Sequence, residues 1–170
     1  TWRVGLHTYT LGFLILFSGL IALSVIDIQT KLLPNKIVYP LGIAFVTIIT
    51  TWAIFTSNYE ILRNCAIVGL VYLFFLFASW SSSNGKAMRF GDVRLSFIMG
   101  FAMGFYGFIV SYAGMLLSFL VGAVIGVLIA IITKSGRKMK IPFGPFLVTG
   151  TILAIWCAPL LSNLIELPNA

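Results

Sequence analysis

LSFIMGFAMGFYGFIVSYAGMLLSFLVGAVIGVLIAIIT, Leu95 to Thr133, runs for 39 residues without a charge. A helical membrane span needs about 20 apolar residues, so this run is too long for one crossing and tight for two. Phe105-Tyr106-Gly107 offers the break, because glycine favours a turn between periodic segments. The division leaves a short helix over about 95–105 and a long one over about 108–133. A re-entrant short helix is the competing reading, and it makes the number of true spans odd.

Charges divide the rest of the chain, because a charge near the bilayer centre is expensive. Residues 4–26 lie between Arg3 and Asp27, 37–59 between Lys36 and Glu60, 64–85 between Arg63 and Lys86, and 141–165 between Lys140 and Glu166. These segments hold 22 to 25 residues, one helical span each. Hydrophobic residues make up 60% of the 170 and charged residues 9%, where a soluble domain carries about 25% charged. The expectation is an all-α integral membrane protein, a bundle of about six transmembrane helices forming one membrane-embedded domain over 1–170. Residues 11–26 resemble a signal peptide in apolarity, but they lack a small-residue cleavage site and read as a retained span.

The positive-inside rule decides between five spans and six. Six spans put nine cations on one side: Lys31, Lys36, Lys86, Arg89, Arg94, Lys134, Arg137, Lys138 and Lys140, against Arg3 and Arg63 on the other. Five spans divide them five against six. Six spans therefore win, with both termini outside and the clusters in the cytoplasm of a cell-membrane protein. The formal charge of +7 comes from these clusters beside apolar runs, a pattern that marks orientation rather than a nucleic-acid face. Lys134–Lys140 reads as a contact with anionic membrane lipid.

The same topology brings two acids to one depth. Asp27 ends the first helix and Asp92 begins the fourth, on the cytoplasmic side, and they are the only aspartates in the chain. Glu60 and Glu166 fall on the opposite face. The plain reading of either Asp is solvation, or pairing with Lys31, Lys86, Arg89 or Arg94. Two on one face shift the balance towards function, since ionisable groups within a membrane default to functional hypotheses. Two carboxylates held together in a desolvated site share a proton. The ionised one takes a proton from water and the protonated one donates to a carbonyl, which hydrolyses peptide bonds without metal or organic cofactor.

Competing chemistries are weakly supported. No GxSxG or HExxH occurs, and the single His7 lies near the N-terminus. Cys65 and Cys157 lie in apolar runs without zinc-ligand spacing, and read as packed thiols. A small cation transporter is an alternative, although transporters carry their acids nearer mid-membrane and within repeats of broken helices.

Three segments resemble the type IV prepilin peptidases. FGDVRLSFIMGFAMGFYG is similar to the segment holding that family's Gly-x-Gly-Asp motif and a basic residue two positions on, here Arg94. DIQTKLLPNKIVYP is similar to the segment in which an Asp precedes a Leu-Pro-Asp/Asn turn, here with Pro34 and Asn35. KIPFGPFLVTG is similar to the Pro-Phe-Gly-Pro segment that opens the last helix. The resemblance implies a short membrane aspartic endopeptidase that cuts the basic leader from prepilin-like precursors at the cytoplasmic face. Asp27 and Asp92 are then the catalytic pair and Gly91 the motif glycine beside the second. It also implies peptidase chemistry only, the methyltransferase domain of longer members having no room here.

One position departs from the motif: Arg89 stands where the family has its first glycine. Glycine permits close approach or positive φ, whereas Arg89 would reach towards the interface and favour the charged form of Asp92. A catalytically impaired member acting in pilus or secretion assembly is the alternative this raises. Pro34 suits a helix start and Asn35 a cap. Pro142-Phe143-Gly144-Pro145 reads as irregular backbone beside the aspartates, either an extended edge for substrate or a helix-entry turn. Gly114, Ser118, Gly122 and Gly126 form a small-residue stripe suited to close helix packing. Oligomeric state is not legible.

Overall fold

The computed structural model describes residues 8–30, 34–83, 89–133 and 144–165. The helices are α1 (Thr8–Thr30), α2 (Asn35–Phe55), α3 (Tyr59–Ser82), α4 (Phe90–Gly104), α5 (Phe108–Thr133) and α6 (Gly144–Ile165), and the described residues contain no strand. His7, Lys31, Lys86, the Lys134–Lys140 cluster, Pro142, Phe143 and Glu166 lie outside the described residues. By length and composition, α1, α2, α3 and α5 each contain a stretch long and apolar enough to cross a membrane. α6 contributes a shorter apolar stretch, Gly144–Cys157. The chain is a multi-pass membrane protein.

Helix ends differ from the charge-bounded segments in an instructive way. α1 runs past Asp27 to Thr30, and α3 starts at Tyr59, so Glu60 and Arg63 lie inside it. A charge in a terminal turn reaches water without unwinding the helix, so charges mark depth better than they mark helix ends. α4 starts five residues before the apolar run of 95–105, which places Asp92 in its first turn.

The long run does break at Phe105-Tyr106-Gly107. Gly107 takes φ +91°, a conformation open to glycine at no steric cost. Its N–H donates to the Gly104 carbonyl at 3.2 Å and closes the turn. α4 is short, about 22 Å at 1.5 Å per residue, and most of it is buried among the other helices. It packs most extensively on α3, as α5 does on α6. The core gathers Leu16, Leu20, Phe45, Leu76, Leu95 and Met99 from four helices. At the end away from Asp27, Tyr9, Trp52 and Phe105 stack with ring centroids 5.1–5.5 Å apart.

Small residues set the two tightest seams. On α5, Gly114 faces Met103 and Ala154, and Ser118 meets Gly150 of α6 with its hydroxyl donating to the Leu147 carbonyl at 3.3 Å. On α4, a Cβ at Gly104 would stand 2.5 Å from Cys65 Cα and 2.7 Å from the Asn64 carbonyl oxygen. Those neighbours are backbone and cannot rotate away. Gly104→Ala is therefore expected to destabilise by about 3 kcal/mol, the upper part of the usual overpacking cost. Thermal unfolding in detergent reads this directly, and an unchanged midpoint would refute the α3–α4 seam.

Candidate active site

Three helix ends converge on one point. α1 brings Asp27 in its last turn, α4 brings Asp92 at its third position, and α6 starts at Gly144 beside both. Contacts of α6 with α1 and with α4 hold the three together. A Cβ on Gly144 would lie 2.8 Å from Asp27 Oδ2 and 3.6 Å from Asp92 Oδ1. The two carboxyl groups, 65 positions apart in sequence, thus face the same small space. They are 2% and 3% exposed, unlike solvated surface acids.

Their hydrogen bonding is incomplete on that side. Asp92 Oδ2 accepts from the Arg89 backbone N–H at 3.4 Å, and the Asp92 N–H donates to the Arg89 carbonyl at 3.1 Å. This is the returning half of a capping box; the forward half is missing, because an arginine side chain has no acceptor. Asp27 Oδ2 and Asp92 Oδ1, the atoms turned towards Gly144, are buried and accept no well-formed hydrogen bond among the described residues, although the Gly144 backbone N–H interacts with the Asp27 carboxyl group. A buried acceptor left unpaired costs about 1–3 kcal/mol and calls for an explanation.

A family model described as "Type IV leader peptidase family" matches residues 14–133. The chain belongs to the type IV leader peptidase family. It is 34% identical over 157 residues to a prepilin leader peptidase/N-methyltransferase of Stutzerimonas stutzeri, covering 91% of this chain and 53% of that protein. It is 33% identical over 158 residues to the protein of that name from Pseudomonas aeruginosa, covering 92% and 51%. The chain spans about half the length of these curated relatives. No solved structure matches it.

In this leader peptidase family chain, Arg89 takes an unstrained place. It is the residue before α4, with φ −91° and ψ 153°, extended backbone that any residue adopts. The expected demand for glycine geometry is absent. Nor does the whole guanidinium reach out to the interface: Nη1 is buried and has no hydrogen-bond partner among the described residues. The guanidinium acts electrostatically on both Asp27 and Asp92.

Asn35 does not cap α2; Pro34 stands at the cap and Asn35 is the first helical residue. Its Oδ1 instead accepts from Arg94 Nη1 at 2.7 Å, tying α2 to α4. Gly91 sits in the first turn of α4 beside Asp92. Gly144 and Pro145 open α6 as helix rather than as an extended strand, and Thr149 Oγ1 donates to the Pro145 carbonyl at 3.0 Å. The contact of Gly144 with both carboxyl groups has no sequence signal beyond its motif. Among the described residues no cluster of three or more His, Cys, Asp or Glu could hold a metal ion.

Proposed function

We propose that the chain is an aspartic endopeptidase that cleaves the leader from prepilin-like precursors, with Asp27 and Asp92 as its catalytic pair at the cytoplasmic face. The observation behind this reading is the shared space beside Gly144, into which each carboxyl group turns one oxygen that accepts no well-formed hydrogen bond among the described residues. A water molecule there can bridge the pair. The ionised carboxylate takes its proton as it attacks the scissile carbonyl, while the protonated partner donates to the carbonyl oxygen. Collapse of the tetrahedral intermediate returns a proton to the leaving amine. Burial strengthens each of these electrostatic steps.

Gly144 leaves room for the reacting groups, and α6 closes one side of the site. The printed names of the relatives support a precursor of the prepilin class. The excess of cations on the same side as the pair supports the cytoplasmic assignment. Cleavage of a co-expressed prepilin tests the reading, and its absence under conditions where an active relative cleaves would overturn it.

Arg89 gives this reading a second test. It sets a positive charge beside a pair that must hold one proton between them. Arg89→Gly is expected to raise the cleavage rate about tenfold, equivalent to about 1.4 kcal/mol of barrier. A time course on the same precursor measures it. No cleavage by either form would favour a non-catalytic assembly role.

A further inference from the structure

A groove of about 460 Å³ lies on the side of α4 away from the aspartates. Val38, Gly42 and Val46 of α2, Leu73 of α3 and Ile98 of α4 form its apolar walls, and Arg94 is the one charged side chain lining it among the described residues. The two long walls run in the same direction, because Gly42 meets Ile98 and Phe45 meets Phe101 further along. Arg94 therefore stands at the end where α2 and α4 begin, and hydrocarbon-like walls extend inward from it.

We infer that this groove binds an anionic phospholipid, with one acyl chain between α2 and α4 and the phosphate on Arg94. Three observations support that occupant. First, Arg94 is held in place: its guanidinium lies 4.7 Å from the Phe90 ring and 5.3 Å from the Tyr39 ring, and it donates to Asn35 Oδ1. Second, that bond uses one of five N–H donors, and no carboxylate pairs with Arg94 among the described residues. Asp27 and Asp92 face Gly144 and Glu60 is on the first turn of α3, at the far end. An arginine this near a helix start reaches the headgroup level of a bilayer, where phosphates are the available anions. Exposed Lys36, in the first turn of α2, adds a second positive charge at the same end.

Third, the dimensions suit a lipid tail. The α2 side of the groove runs from Val38 to Thr47, about 14 Å, an open apolar trough along which a polymethylene chain can lie. The inference does not depend on the catalytic reading.

The full chain in detergent, equilibrated with an equal mixture of phosphatidylglycerol and phosphatidylcholine, provides the test by native mass spectrometry. One phosphatidylglycerol should be retained, with about a tenfold preference over phosphatidylcholine, whose phosphate is the same but whose choline sets a second cation beside Arg94 and Lys36. Arg94→Gln should level that preference. Val46→Phe, which fills the groove, should lose both lipids; Thr47→Trp at the exposed rim should do the same should Val46→Phe fail to fold. Glycerol phosphate, which has no tail, should leave the melting temperature unchanged while phosphatidylglycerol raises it.

The inference is overturned by equal retention of the two lipids in the wild type, or by an undiminished preference in Arg94→Gln. Equal stabilisation by glycerol phosphate would make the site a free-anion site. One-for-one displacement of the lipid by a prepilin-like peptide would make it a substrate site. Either result refutes a lipid site.

Discussion

Asp27→Asn and Asp92→Asn should each lower precursor cleavage by at least about 10³-fold, within the range expected for removing a general acid or base. Asparagine keeps the size and loses the proton exchange, so packing around the two buried side chains is preserved. Membrane insertion and thermal stability should therefore remain close to wild type. Unequal effects would also inform: if one Asp served only as a structural cap for α4, its Asn variant would retain most of the activity. Asp92 needs this control most, because its Oδ2 already accepts from the Arg89 backbone. Cleavage of a co-expressed prepilin, followed by the mobility shift of the processed form, measures both variants. The double variant should be no worse than either single one, since the residues act as a unit.

Gly144→Ala should come next in size. The added methyl would sit 2.8 Å from Asp27 Oδ2 and 3.6 Å from Asp92 Oδ1, in the space assigned to water and the scissile carbonyl. A displacement of reacting groups by about 1 Å costs on the order of 10²-fold. The loss should appear in kcat and leave the helical content unchanged, because Gly144 already lies in regular helix. Full activity in Gly144→Ala would mean that the chemistry occurs elsewhere.

The sequence makes the membrane bundle and its six helices readable for a simple reason. Apolar length and the cost of buried charge are properties of single segments, and Gly107 announces its own turn. A common face for Asp27 and Asp92 follows from topology, since an even number of crossings returns the chain to the same side; their closeness does not. What escapes is tertiary. Asn35 looks like a cap until Arg94, 59 residues away, appears beside it. Arg89 looks like a strained substitution until its backbone proves to be ordinary extended chain. The closeness of Gly144 to both carboxyl groups and the groove between α2 and α4 depend on how three helices meet, and no periodicity records that.

The central claim is that two carboxyl groups distant in sequence share one small space. Asp27→Cys and Asp92→Cys, introduced together after Cys65 and Cys157 are replaced by Ala, test it in native membranes with a short bifunctional thiol reagent. Each single cysteine is first shown to react with a monofunctional reagent. The account predicts an intramolecular 27–92 cross-link and none between Asp27→Cys and Glu60→Cys. Reactive thiols at 27 and 92 that fail to join would contradict it.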